Sequence, residues 1–362
     1  MANTCSNSWG VGVDWERKGE QNASARIFNP MTSTTREADW RHDLELALAN
    51  FLRRYPHGSS DGLYDPIHYL LGLGGKRIRP VLALAACEAE GGDARSAMPA
   101  ALAVEMFHNF TLMHDDIMDE APLRRGRPTV HTKWNEHAAI LSGDALYTLA
   151  LTALEEVPAA ALPDVFRMFN VTAREVCEGQ QSDMAFERRD NVTLEAYVEM
   201  IRLKTSVLLA ASAYMGARCA GASEERAQLW YRYGENVGLA FQLQDDYLDA
   251  FGESSATGKQ VGGDILSDKK TLLWLAAWSD PASREVLRAH VGSHPATGSA
   301  MAEAKIQAVR AAMVHSGADA EARRRMDDHV ASALEALAQL ELPENRGAWF
   351  GDLAAHVTSR TH

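Results

Sequence analysis

The chain has 362 residues, 46% of them hydrophobic, enough for a sizeable core in one large or two ordinary domains. Lys plus Arg total 36 against 49 for Asp plus Glu, a net charge of −13, which argues against non-specific nucleic-acid binding and against an anionic membrane surface. The four cysteines, Cys5, Cys87, Cys177 and Cys219, are scattered without a Cys-x-x-Cys pair, so neither a zinc site nor a disulfide framework is expected, and a cytoplasmic location is.

Residues 1–36 are rich in Asn, Ser, Thr and Gly and carry no apolar periodicity; they read as a disordered or loosely docked leader. They lack the basic-then-apolar pattern of a signal peptide, and Met31 offers an alternative start near their end. Helical patterning is expected from Glu37, capped by Thr34 or Thr35. From there Ala, Leu, Glu and Arg dominate, and β-branched alternation is scarce. Breakers fall at helix-length intervals: Gly72 to Gly75, Gly91-Gly92, Pro122 to Pro128, Pro158 to Pro163, Gly252 to Gly263, Pro281 and Ser316-Gly317. Residues 37–362 therefore read as one all-α domain of roughly a dozen helices. No apolar run approaches the roughly 18 residues of a membrane span.

Two acidic clusters stand out. "TLMHDDIMDEAPLRRG" carries Asp115, Asp116 and Asp119, and "FQLQDDYLDAFG" repeats the spacing with Asp245, Asp246 and Asp249. On a helix, positions i and i+4 share a face, so Asp115 with Asp119 and Asp245 with Asp249 each present two carboxylates the same way. Like charges so placed destabilise a helix unless a cation joins them; carboxylates completed by water and phosphate oxygens are the usual magnesium set. One such cluster reads as a solvated helix face. Two of equal spacing read as facing walls of one cavity.

Cations bracket these clusters. "GGKRIRP" places Lys76, Arg77 and Arg79 after a glycine break, without the phosphate-loop pattern Gly-x4-Gly-Lys-Ser/Thr. Arg124 and Arg125 follow the first cluster, Lys204-Thr205 interrupts an apolar run, and Lys259, Lys269 and Lys270 follow the second. Together they imply a polyanionic ligand such as a diphosphate. His114 is as readily a packing residue as a ligand, His131 reads as structural, and Asp144 reads as a helix cap after Gly143. The tryptophans are scattered and imply no aromatic cage.

These segments, with "RRGRPTVH", "EGQQSD" and "LKT" in the same order, resemble the trans-isoprenyl diphosphate synthase (polyprenyl synthetase) family over roughly residues 40–350. The resemblance implies an isoprenoid-synthase bundle around a deep central cavity, usually homodimeric. It implies a short-chain prenyltransferase that joins isopentenyl diphosphate to an allylic diphosphate (dimethylallyl, geranyl or farnesyl) and releases diphosphate. Asp115, Asp119 and Asp245 would bind Mg2+, with Asp116, Asp246, Asp249 and Asp264 supporting. Arg124, Lys204 and Lys259 would grip the allylic diphosphate, with Gln242 and Lys269 nearby, while Lys76, Arg79, His108 and Arg125 would hold isopentenyl diphosphate. Thr205 and Gln242 would stabilise the carbocation, and Gln180 and Asp183 match an element whose Asp orients cations. The 36-residue leader has no counterpart, and the Lys259–Asp264 span is one residue longer than in some relatives.

For product length, Phe110 lies about 7.5 Å below Asp115 along a helix and can act as a floor. In the resembling family, an aromatic there beside a small Thr111 goes with C20, ahead of C15, with Phe107 as the alternative floor. Two other readings share parts of the pattern. A class I terpene cyclase would carry a different second metal motif and need no Lys76/Arg79/His108 set. A non-catalytic subunit of a heteromeric synthase would lack aspartates or cations that are all present here.

Overall fold

The computed structural model describes residues 33–252 and 262–359. Its helices are α1 (Ser33–Leu52), α2 (Asp65–Gly72), α3 (Ile78–Ala89), α4 (Ala94–Met118), α5 (Val130–Lys133), α6 (Glu136–Leu154), α7 (Leu162–Arg188), α8 (Leu194–Ile201), α9 (Val207–Cys219) and α10 (Glu224–Phe251). Six further helices, the first a single turn at Gly263–Leu266, lead to the last, Glu344–Ser359. Most of the expected breakers mark helix ends. Ser316-Gly317 is one: a helix ends at His315 and the next begins at Ala318, with Gly317 at φ 76°.

The two acidic clusters sit at the C-terminal ends of two long core helices, α4 and α10. Asp93 starts α4 by accepting from the Arg95 amide at 2.9 Å, and Ser223 starts α10 by accepting from the Arg226 amide. α4 packs on α3, α6 and α9, and α10 packs on α9 and on Ala318–Gln339. Buried apolar residues form two clusters. The larger is built on α1, α3, α4, α6, α9 and α10, and the smaller joins α8 and the end of α10 to the C-terminal helices.

Several expectations need correction. α1 begins at Ser33, inside the segment read as leader, and Arg36 already pairs with Glu88 of α3 (2.9 Å). Residues 1–32, Met31 among them, lie outside the described residues. Asp144 is not a cap: α6 starts eight residues earlier at Glu136, where Asn135 accepts from the Ala138 amide at 2.8 Å. Gly143 lies mid-helix, packed against the His114 ring. α6 is also long and apolar enough to cross a membrane by length and composition, which the sequence reading missed. Its Ala139, Leu146, Leu149, Ala150 and Ala153 are buried in the core. The all-α expectation holds, with one small ribbon among the described residues, β1 (Leu123–Arg124) with β2 (Arg127–Pro128), turned by Arg125 and Gly126 at φ 53° and 72°. Positive φ at both turn positions suits a two-residue hairpin, but Arg-Gly lacks the Asn-Gly or Asp-Gly signature. Trp40 lies 5.5 Å from Trp349, and Trp230 lies 4.6 Å from Phe350, packing contacts that tie α1 and α10 to the last helix.

Candidate active site

Asp115 lies in the last turn of α4, and Asp119 caps its C-terminus. Asp245, Asp246 and Asp249 occupy the last two turns of α10. Both clusters thus sit at the negative end of a helix dipole, the end that disfavours anions. Burial, and then the neighbouring Asp115, raise the Asp119 carboxyl above its ordinary range, although one side of it meets solvent. Burial and Asp264 push Asp249 up to about 6 and Asp246 up to about 7. Carboxylates crowded at two helix ends form a hard-oxygen donor set suited to a divalent cation. Among the described residues no three His, Cys, Asp or Glu side chains converge to hold a metal by protein atoms alone.

The second aspartate of each cluster is occupied otherwise. Asp116, expected in the metal set, is buried, and both its oxygens accept from Arg124 (2.7–3.0 Å). Asp246 is buried too; it accepts from the Tyr197 hydroxyl and from Gln242 Nε2 at 3.0 Å. Consecutive helix residues point about 100° apart, so when Asp115 and Asp245 face the cavity their neighbours turn inward. Asp249 Oδ1 accepts from the Asp264 amide at 2.9 Å, which ties the helix end to the segment after Gly262.

Between the clusters lies a pocket lined by Asp183, Tyr197, Met200, Ile201, Lys204, Thr205, Gln242, Asp246 and Lys269. Lys204 Nζ donates to Asp183 at 2.6 Å and to Asp115 at 3.3 Å. Burial works against the Lys204 charge, but Asp183 and Asp115 outweigh it and raise its pKa. Lys269 is raised in the same way, burial being outweighed by Asp264, Asp183, Asp246 and Asp119, the last two one from each cluster. Thr205 Oγ1 donates to Gln242 Oε1 at 3.0 Å, so the Gln242 amide is fixed with Nε2 toward Asp246. Gln180 Nε2 lies 3.7 Å from Met118 Sδ.

Lys204 and Thr205 stand on a π-turn, Arg202–Ser206, between α8 and α9. Such a turn re-aims side chains out of the helical register. Glycines on two neighbouring helices make room for it. A Cβ on Gly179 of α7 would lie 2.3 Å from Lys204 N, and one on Gly238 of α10 would lie 2.7 Å from Ser206 Cα.

A second group of cations flanks the first cluster. Arg79 Nη1 donates to His108 Nε2 at 3.3 Å, and Arg79 Nε is buried without a hydrogen-bond partner. Burial, then Arg79, Arg124, Arg125 and Arg77, hold His108 well below the ordinary imidazole range, so it is neutral. Arg125 bonds the Gly74 carbonyl, and Lys76 is exposed. Lys259, expected with Arg124 and Lys204 at the allylic diphosphate, lies outside the described residues.

Below Asp115, Phe110 stacks on Tyr147 of α6 (5.3 Å between ring centroids) and touches Phe107 (5.6 Å), which packs on Phe169 of α7 (5.4 Å). Thr111 Oγ1 donates to the His108 carbonyl at 2.8 Å. His114 packs edge-on against Phe110 (4.7 Å) and bonds the Ile140 carbonyl (3.2 Å), a packing role. The sequence reading missed Tyr147, Phe169 and Tyr197. Only Tyr197 left a local trace, seven residues before Lys204.

Acidic helix ends with cations between them thus stand beside a cluster of aromatic rings. The chain belongs to the polyprenyl synthetase family, whose model matches residues 60–325. It is 47% identical over 219 residues to a geranylgeranyl diphosphate synthase of Methanosarcina mazei, covering 60% of this chain and 67% of that one. It is 39% identical over 293 residues to a (2E,6E)-farnesyl diphosphate synthase of Mycobacterium bovis, covering 79% and 80%. A solved geranylgeranyl pyrophosphate synthase matches with a TM-score of 0.84 and 39% identity, covering 91% of this chain and 99% of its own. The fold is the all-α isoprenoid-synthase fold, and the protein is a short-chain trans-prenyltransferase.

Proposed function

We propose that the protein condenses isopentenyl diphosphate with an allylic diphosphate and makes a C20 all-trans product ahead of C15. The observation that carries this reading is the pair of acidic helix ends with Lys204 and Lys269 between them, beside the separate Arg79–His108 group. Two anion-binding groups suit two diphosphates. Asp115, Asp119 and Asp245 hold Mg2+, with Asp249 in support. When bound, the metal supplies positive charge to the departing diphosphate.

The rest is the work of side chains. Lys204, Lys269 and Arg124 draw the allylic diphosphate into place, Arg124 being aimed by Asp116. Lys76, Arg79 and Arg125 hold isopentenyl diphosphate, and the unpartnered Arg79 Nε is one donor for it. As the allylic C1–O bond breaks, Thr205 and Gln242 offer oxygen lone pairs to the carbocation. The double bond of isopentenyl diphosphate then attacks C1, and the proton lost goes to the released diphosphate. The test is incubation of the purified protein with Mg2+, labelled isopentenyl diphosphate and each allylic starter, followed by product sizing. A cyclised hydrocarbon, or no extension of any starter, overturns the reading.

The floor sets product length. Phe110→Ala opens the space beneath Asp115 and is expected to give products longer than the wild type; Thr111→Phe narrows it and shifts products toward C15. Product sizing by reversed-phase chromatography checks both. An unchanged distribution from a folded, active Phe110→Ala enzyme moves the floor to Phe107, where Phe169 supports the ring.

The working unit is a homodimer. Ile140 and Leu141 of α6 and Phe166 and Val171 of α7 are 42%, 59%, 47% and 39% exposed, an apolar surface suited to a second copy. Light scattering is expected to give twice the chain mass, falling to the monomer for Leu141→Glu with Phe166→Glu.

A further inference from the structure

Arg77 lies between two proposed substrate-binding cations, Lys76 and Arg79, yet it faces away from solvent. Its side chain is 1% exposed, and all three of its nitrogens are engaged. Nε donates to Glu45 at 2.8 Å, Nη2 donates to the Leu71 carbonyl at 2.7 Å, and Nη1 donates to Glu105. Buried, with each nitrogen held inside the protein, it is not placed to meet a substrate. Its backbone is left-handed, φ 52° and ψ 29°, at the cap of α3. A side chain with a Cβ adopts that conformation at a cost, and it persists where the surroundings over-determine it. Three acceptors on three elements provide that here: Glu45 on α1, Leu71 on α2 and Glu105 on α4.

Glu105 is the inner end of the clamp. Its side chain is 4% exposed, and its Oε1 also accepts from Asn109 Nδ2 at 2.7 Å. It lies on α4 three residues before His108 and ten before Asp115, so the helix that carries both site residues also anchors Arg77. Holding Arg77 in the left-handed turn fixes the directions in which the chain leaves toward Lys76 on one side and Arg79 on the other. A lysine could not replace it, since one ammonium cannot span acceptors arranged for a planar guanidinium fork.

We propose that Arg77 and Glu105 are a buried positioning pair that aims Lys76 and Arg79 at isopentenyl diphosphate without touching it. This rests on the function proposed above. The test is steady-state kinetics of the double variant Arg77→Met/Glu105→Leu, which removes both charges so that neither is stranded. The expected result is a folded enzyme with KM for isopentenyl diphosphate raised about 10-fold or more, while KM for the allylic diphosphate and kcat stay within about twofold. A merely structural pair would lower the melting temperature without that split. Should the double variant not fold, Glu105→Gln decides, because it keeps an acceptor for Asn109 and loses only the charge that holds Arg77. Wild-type KM values in whichever folded variant is measured overturn the proposal. Lys76→Ala and Arg79→Ala, measured alongside, must raise KM for isopentenyl diphosphate; if neither does, the assignment of the substrate site fails first and takes the positioning pair with it.

Discussion

Asp115→Ala and Asp245→Ala each lower turnover by roughly 100-fold or more, with the helical circular dichroism unchanged. The two halves of that expectation have one cause. Each carboxylate sits at the negative end of a long helix, near other carboxylates, a placement that costs the chain stability and that Lys204 offsets only in part at Asp115. Removing it costs the fold little and the proposed metal site a great deal. The melting temperature provides a readout independent of turnover. Mg2+ should stabilise the wild type and stabilise either variant much less, because a ligand that binds only the folded state raises its stability by mass action. Excess EDTA should abolish turnover, and near-normal rates in EDTA would sink the metal assignment. Asp116→Ala separates the neighbouring roles. It strands Arg124, whose partner it is, so turnover falls while the Mg2+ stabilisation remains. Loss of that stabilisation in Asp116→Ala would return Asp116 to the metal set.

Gly179→Val is expected to lower kcat about 100-fold and to lower the melting temperature as well. The added Cβ meets Lys204 N at 2.3 Å, Leu203 C at 2.7 Å and Lys204 Cα at 2.8 Å. All three are backbone atoms, so no rotamer change relieves the contact. Either α7 moves away or the π-turn changes register, and both displace Lys204 from Asp183 and Thr205 from Gln242. Overpacking of this kind costs about 1–3 kcal/mol, and a misplacement of about 1 Å in a reacting site can cost 100-fold in rate. Gly351→Ala is the control. It also lies in a helix, but nothing is within 4 Å of its added Cβ, so its melting temperature should be unchanged or slightly higher. A folded Gly179→Val enzyme with native kcat would show that the π-turn does not set the geometry of Lys204 and Thr205.

Much of the architecture was legible in the chain because its signals are local. Helix content follows from residue type and from breaker spacing, and that is why the ends at Gly72, Met118, Phe251 and His315 fall beside expected breakers. The misplaced start of α6 has the same origin. Gly143-Asp144 looks like a cap by local rules, but the helix continues through it because Gly143 packs against His114 of α4. The Arg125-Gly126 turn escaped because its strands are only two residues long, too short to show an alternating pattern.

What the sequence determined by itself is the set of charges and their period: two clusters of identical spacing at helix ends, with cations after each. A spacing of four residues shares a helix face whatever the helix packs against. Which carboxylate faces the cavity depended on the tertiary structure, because it depends on what lies across from each face. Arg124, from the ribbon just after the helix, takes Asp116, and Gln242 of the same helix takes Asp246 together with Tyr197, 49 residues away. The π-turn under Lys204 exists only where Gly179 and Gly238, on two other helices, leave room for it. The aromatic floor likewise needs Tyr147 and Phe169 brought beneath Phe110 by α6 and α7. The Tyr197, glycine and aromatic contacts join residues tens of positions apart, and their partners are chosen by helix packing, which no local period encodes.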